Sequence, residues 1–440
     1  MASTLLLHLS DIHFNGKLAS PLFDLDAEIR SALERDLEGL HAQLGDFGGL
    51  IISGDVAFSG TDHQYEQAVK WVKTICAFVG CPDGNVWTVP GNHDVDRGLI
   101  RSSKSIRLLQ DDLRGSGADL NRRIEESLIG DAAAGESLFR PIAAYNDFAG
   151  IFHCDVSREK PYWEHTLILN DRSRLKLRGI TSTLVSDSTD NDRDRKLVVG
   201  AVQYRFLQEP GTEYMVICHH PPEWLLDRDA AEDAFRTHTR IQIFGHKHSP
   251  RAFRIANGVR LAAGATHPDR AELNWRPAYN VLGIGVEGSG NHREMVLDVY
   301  GRVWEDGSRS FQPIVVINGQ GHEAFRIPLA PWENVVVGPA QVSSQEFDPD
   351  TSIFAEEDLG SEKLMNPARM LMYRFLTLPY VSKVEIATGL GLLSNDDAGI
   401  AEPELYLRYY SRAKDQGILA KFWDAVERAH GGQATRNPFS

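Results

Sequence analysis

Five times in this sequence an apolar run stops at a cluster of side chains able to bind a metal or move a proton. Leu5-Leu6-Leu7-His8-Leu9 runs into Asp11-Ile12-His13. Gly49-Leu50-Ile51-Ile52-Ser53 runs into the glycine-bounded stretch Gly54-Asp55-Val56-Ala57-Phe58-Ser59-Gly60. Asn85-Val86-Trp87-Thr88-Val89 precedes Gly91-Asn92-His93-Asp94. Tyr214–Cys218 precedes His219-His220-Pro221-Pro222, and Ile241–Phe244 precedes Gly245-His246-Lys247-His248. Short apolar runs bounded by turn residues read as buried strands. Helical spacing from about Leu25 to Leu44 and from about Asp62 to Val79 separates the first three runs. Strand, helix, strand, helix, strand predicts a layered α/β fold, in which chemistry collects at the carboxyl ends of the strands.

The residue types then suggest a chemistry. In Asp11-Ile12-His13, positions i and i+2 project the same way off a strand end and can grip one ion. The glycines around Asp55 allow a tight turn that presents its carboxylate at the sheet edge. Asn92 offers a neutral carbonyl oxygen. His93 offers a proton donor beside it, and Asp94 is placed in sequence to hydrogen-bond and orient that imidazole. A His-x-His pair such as His246 and His248 makes a pincer for a metal. Each cluster taken alone also reads as a helix cap or a satisfied core residue. Together they supply mixed oxygen and nitrogen ligands that suit Mn, Fe or Zn better than Ca or Mg.

The order DxH, GDx4G, GNHD, HHPP, GHxH resembles that of the calcineurin-like metallophosphoesterases, over about Thr4 to Ile317. The resemblance implies a β-sandwich flanked by helices, with two divalent metal ions at one edge. It implies that Asp11, His13 and His248 serve the first ion. Asp55 would bridge, and Asn92, His219 and His246 would serve the second. It implies His93 as catalytic proton donor, with Asp94 beside it. The choice of His219 over His220 rests on the family's His-x-Pro register. The Pro90–Arg97 and Gly264–Thr266 stretches look like those of cyclic-nucleotide and other small phosphodiesterases. Arg97, His220 and His267 are the candidate substrate contacts.

The rest of the chain frames this centre. Residues 98–162 turn polar and helix-prone, with Arg101, Lys104, Arg107, Arg114, Arg122 and Arg123. They are expected to form a helical cap insertion; the same charges also read as a solvated helical face. Strand-like runs return at Thr166–Asn170, Leu175–Ile180, Arg260–Ala263, Tyr279–Gly285, Glu294–Tyr300 and Pro313–Ile317. Few long helices separate them, which predicts antiparallel or mixed pairing. The catalytic domain is expected to span 1–338. Residues 339–361, with acidic residues and no basic ones between Gln345 and Asp358, read as a linker. A small all-α domain follows at 362–440, with helices at Asn366–Leu378, Glu402–Gln416 and Ile418–His430. Leu419, Phe422, Trp423 and Val426 mark one buried face. The segment from Tyr406 to Trp423 resembles the small death-like effector-associated domains of bacteria, which implies a protein partner; an extension packed on the core or making an oligomer is the alternative.

Charge and cysteine usage set limits. With 46 Lys+Arg against 61 Asp+Glu, the formal net charge is −15. That balance argues against coating nucleic acid or an anionic membrane. Four cysteines without a CxxC pair exclude a disulfide framework, and no apolar stretch approaches a membrane span, so a cytoplasmic protein is expected. The resulting expectation is a dinuclear metal-dependent phosphodiesterase. Its substrate would be a nucleotide, a cyclic nucleotide or a nucleic-acid end, attacked in line by metal-bound hydroxide. An effector role in bacterial defence or signalling accompanies it. The alternatives are a phosphomonoesterase or pyrophosphatase of the same fold, and a non-catalytic metal-binding scaffold acting through its C-terminal helices.

Overall fold

The computed structural model describes residues 3–15, 27–191, 194, 196–267, 276–315, 321–332, 367–376, 378, 380–394, 397, 402–429 and 437–439. The chain divides into two compact units, Met1–Pro339 and Ala340–Ser440.

The apolar runs form the strands. β1 (Thr4–Leu9), β2 (Gly49–Ile52) and β3 (Val86–Thr88) are buried almost throughout, as strands covered on both faces must be. They lie parallel to one another. Next come β4 (Tyr162–Ile168), β5 (Arg174–Ile180), β6 (Thr212–Cys218), β7 (Thr239–Phe244), β8 (Arg251–Ile255) and β9 (Gly258–Ala262). The chain then returns through β10 (Ala278–Glu287), β11 (Glu294–Glu305), β12 (Ser310–Pro313) and β13 (Glu323–Pro328). One sheet has the order β12-β11-β10-β1-β2-β3, with β13 also on β11; the other has the order β4-β5-β6-β7-β9-β8. β5, β6, β7 and β9 run parallel, flanked by antiparallel β4 and β8. Both sheets feed one core, in which Leu6, Leu7 and Ile51 of the first join Leu177, Val216 and Ile243 of the second. The Trp163 indole of β4 donates to the carbonyl oxygen of Thr88, at 2.8 Å, and ties the sheets together.

Two features differ from expectation. The last expected run, Pro313–Ile317, is a strand only at its start, because β12 occupies Ser310–Pro313; Val316 and Ile317 lie outside the described residues. β8 and β13 were not expected at all. Both are half-exposed edge strands whose polar faces leave no apolar run to read.

The helices of 98–162 contribute Ile106, Leu113, Ile124, Leu138 and Phe148 to the same core. Their cations are mostly engaged locally. Arg114 pairs with Asp111 and Asp187, Arg122 with Asp119 and Glu126, Arg123 with Asp112, and Arg107 donates to the carbonyls of Ile100 and Arg101.

The C-terminal unit holds helices Pro367–Leu376, Tyr380–Gly389, Glu402–Asp415 and Leu419–Ala429. Leu371, Phe375, Ile386, Tyr406, Tyr409, Phe422, Trp423 and Val426 close a separate core, while Leu419 packs at its margin. The expected linker, 339–361, lies outside the described residues.

Candidate metal centre

All five polar clusters lie at the carboxyl ends of parallel strands: β1, β2 and β3 from one sheet, β6 and β7 from the other. The loops after β1 and β2 zip together. The amides of Asp11, Ile12, His13 and Phe14 donate to the carbonyls of Gly54, Asp55, Asp55 and Val56 at 2.9–3.0 Å. The backbone bends hard in these loops and in the loop after β7. Asp11, His13, Asp55, His246 and His248 all adopt left-handed φ values of 51–68°. Each such residue costs about 1–3 kcal/mol and persists only where its surroundings fix it. Gly54 and Gly91 are required by close approach. A Cβ on Gly54 would stand 2.4 Å from the His219 ring, and one on Gly91 would stand 2.2 Å from the Asp55 carboxylate.

The side chains fall into two half-sites that share Asp55. In the first, His248 Nε2 stands 3.0 Å from Asp11 Oδ1 and His13 Nε2 stands 3.5 Å from Asp55 Oδ2. In the second, His219 Nε2 stands 3.1 Å from the same Asp55 Oδ2 and 3.2 Å from Asn92 Oδ1, with the His246 ring centroid 5.2 Å from that of His219. Main-chain carbonyls fix two of these imidazoles. His13 Nδ1 donates to His267 O at 3.2 Å, and His219 Nδ1 donates to Ser53 O at 2.9 Å. A carbonyl can only accept, so each Nε2 is left pointing at Asp55 as a ligand nitrogen must.

The electrostatics fit a bound cation. Asp11 and Asp55 are fully buried, and imidazoles hold both well below the usual carboxylate range although burial works the other way. Burial lowers His219, but Asp55 and Asp11 overcome it and raise the ring to about 9. The surrounding carboxylates thus favour positive charge at the His219 ring. Without a positive charge there, the His219 Nε2 lone pair would face those of Asp55 Oδ2 at 3.1 Å and Asn92 Oδ1 at 3.2 Å. The donor set therefore fits divalent ions: Asp11, His13 and His248 on one side, Asn92, His219 and His246 on the other, with Asp55 between.

His93 is held beside the first half-site. Its amide donates to Asp55 Oδ1 at 2.7 Å, its Nδ1 donates to Phe58 O at 2.8 Å, and its ring centroid lies 4.7 Å from that of His13. Burial pushes it below the usual imidazole range; His13 and Arg97 add to this, while Asp55 and the Phe58 carbonyl oppose it.

Three expected roles need correction. Asp94 does not orient His93. Its buried carboxylate accepts from the amides of Val56, Ala57 and Gly91 and from the Tyr65 hydroxyl, so it fastens two loops while Phe58 O orients the histidine. His267 is not a substrate contact. It is buried, its Nδ1 donates to Ile12 O at 3.0 Å, and its own carbonyl braces His13. His220 is not one either. It is fully buried between Ser182 Oγ at 2.8 Å and Asn92 Oδ1 at 3.0 Å. Arg97 remains at the half-buried rim near His93. Ser182 was missed by sequence reasoning. It stands at a sixth strand end, after β5, where Thr181-Ser182-Thr183 carries no metal-type residue; the strand-end position itself was the available signal.

Residues 4–250, more than half of the chain, match the model of the calcineurin-like phosphoesterases. The chain belongs to this family. Residues 367–428 match the model of the GTPase-associated adaptor domain. A similar curated protein is the uncharacterized metallophosphoesterase-like protein YydB of Bacillus subtilis, 27% identical over 147 residues; the match covers 33% of this chain and only 28% of that protein. Among solved structures, a Vps29 single mutant from Entamoeba histolytica aligns at TM-score 0.30 with 11% identity, covering 74% of this chain and all but 1% of that one (99%). GAP50, the anchor in the inner membrane complex of Plasmodium, aligns at TM-score 0.35 with 9% identity, covering 76% and 90%. Likenesses at these scores add nothing to the family assignment. Calcineurin-like phosphoesterases depend on metal as a family, and in this chain Asp11, His13 and His248, and Asp11, Asp55 and His219, form groups that could hold a divalent ion. Among the described residues, no helix is long and apolar enough to cross a membrane.

Proposed function

We propose that this chain is a dinuclear phosphodiesterase acting on a nucleotide, a cyclic nucleotide or a nucleic-acid end. The observation that carries the dinuclear reading is the position of Asp55 Oδ2, within 3.1 Å of His219 Nε2 and 3.5 Å of His13 Nε2, between two half-sites. Divalent ions held there, as Mn, Fe or Zn, would neutralise phosphoryl charge and acidify water. The chain's own residues do the rest. Asp55 orients His93 through its amide, and Phe58 O fixes His93 Nδ1 as a donor. Nε2 is therefore the atom free to exchange a proton with the leaving oxygen. A phosphate anion beside it supplies the counter-charge that lets Nε2 carry that proton.

The charge at the rim favours a diester. Among the described residues, Arg97 is the cation that bears on His93, while Lys247, between the two histidines of the pincer, is tied to Glu223 at 2.8 Å. Beyond the ions themselves, a single rim cation adds little counter-charge for the second negative charge of a monoester. Phe58, half exposed with its ring 5.4 Å from that of His93, adds an apolar rim suited to an esterified group. We read the helices of 98–162, which follow Arg97, as a side wall of the substrate approach. The match at 367–428 supports recruitment of a protein partner by the helical unit, with a GTPase as first candidate from the name of that domain. An effector role in bacterial defence or signalling accords with such recruitment.

The manganese-loaded protein is expected to hydrolyse bis-p-nitrophenyl phosphate at least tenfold faster than p-nitrophenyl phosphate. Equal or faster monoester turnover would replace the diesterase reading with a phosphomonoesterase.

A further inference from the structure

We propose that Ser182 and His220 are positioning residues that hold the Asn92 carbonyl oxygen at the second metal position, His219 being the ligand of the adjacent histidine pair. The inference rests on the dinuclear reading above and assigns residues to it that the ligand motifs do not name.

The two neighbouring histidines receive opposite instructions from what their Nδ1 atoms face. His219 Nδ1 meets the carbonyl of Ser53 at 2.9 Å, which can only accept, so that Nδ1 carries the proton. Its Nε2 is thereby freed as a ligand toward Asp55 and Asn92. His220 Nδ1 meets the Ser182 hydroxyl at 2.8 Å, and its Nε2 stands 3.0 Å from Asn92 Oδ1. An amide oxygen only accepts, so Nε2–H of His220 donates to it. The hydroxyl, which rotates to suit, donates to Nδ1 of the neutral ring. The nitrogen that would have to bind an ion is already used to hold a ligand of that ion. Both lone pairs of Asn92 Oδ1 then have a function, one toward His220 and one toward the metal position.

Ser182 is itself fixed. The side chain of Gln203 accepts from the Thr181 amide at 2.8 Å and donates to the Thr181 carbonyl at 2.9 Å. Ser182, His220 and Gln203 are all fully buried, so water does not compete for these contacts. The chain Gln203, Thr181, Ser182, His220, Asn92 thus runs from beneath β5 to the second half-site.

Manganese binding to the full chain tests this. Stoichiometry would be read by elemental analysis after dialysis, and the affinity of the second ion by calorimetry. The wild type is expected to bind two ions. His220→Ala is expected to keep the first and to bind the second about 10- to 100-fold more weakly, and Ser182→Ala to do so by a smaller factor. His220→Gln, whose amide N–H can replace Nε2–H, is expected to restore the second ion to within about threefold. Loss of the second ion in His220→Gln as well as in His220→Ala would mark His220 as a ligand and overturn the proposal. Wild-type binding in both His220→Ala and Ser182→Ala would overturn it too. A wild type that binds fewer than two ions would overturn the dinuclear reading itself, and this inference with it.

Discussion

Asp94 is the residue where sequence and space diverge most. Adjacent to His93 in the chain, it invites a reading as that histidine's orienting partner. In the fold its carboxylate turns inward to three amides and a tyrosine hydroxyl, and burial, reinforced by Asp55, raises its pKa to about 6. The orienting oxygen belongs to the main chain of Phe58. Backbone carbonyls likewise set His13 and His219. The candidate ligands Asp11, His13, Asp55, Asn92, His219, His246 and His248 were legible as a set because metals demand particular atoms. The atoms that aim them were not, since every residue has a carbonyl and only the fold decides which one arrives. The hydrogen bond from His93 to Asp55 is made by its amide, which does not need the ring. His93→Ala should therefore cut turnover of a diester by about 10²- to 10⁴-fold and leave metal content unchanged. A rate within threefold of wild type would remove His93 from the chemistry.

At the scale of elements, fully buried parallel strands were the easiest to read, because apolar runs such as Leu5–Leu9 have no other stable use. The edge strands β8 and β13 and the helix Tyr380–Gly389 were missed. That helix is rich in β-branched residues, with Val381, Val384, Ile386 and Thr388, which local propensity assigns to a strand. Packing of Ile386 and Ala387 into the helical core overrides it. β5 shows how an element that carries no candidate ligand supports the site. Its Arg178 is buried between the rings of Tyr162 and Phe206, at 4.3 and 4.4 Å, and pairs with Glu164 at 2.7 Å. It also donates to the carbonyls of Gln203 and Arg205, at 3.2 and 2.6 Å, in the segment that locks the Thr181 loop. Glu164 is exposed, so Arg178→Ala would cost chiefly the guanidinium's own stacking and hydrogen bonds, about 1.5–3 kcal/mol. Arg178→Ala should lower the melting temperature of the catalytic unit by several degrees in calorimetry; a shift below one degree would show that this pair does not anchor β5.

For the molecule as a whole, the excess of acidic residues does not by itself count against an anionic substrate, because two divalent ions at the proposed centre would return four positive charges there. The balance still disfavours long contacts with nucleic acid, in keeping with a small diester or a strand end. The helical unit has its own core, centred on Phe375, Phe422 and Trp423, with the Phe375 and Phe422 rings 5.0 Å apart. Phe422→Ala should cost that unit about 3–5 kcal/mol and abolish its separate melting transition. Hydrolysis of a small diester should stay within twofold of wild type; a parallel loss of hydrolysis would mean that the catalytic unit depends on the helices for its fold.

The claim on which all of this depends is that Asp55 joins two ions in one centre. Electron paramagnetic resonance of the manganese-loaded chain tests it most directly. Two ions per chain with an exchange-coupled spectrum, lost on Asp55→Ala in favour of the six-line signal of isolated manganese, is the expected result. A six-line signal already present in the fully loaded wild type would contradict it.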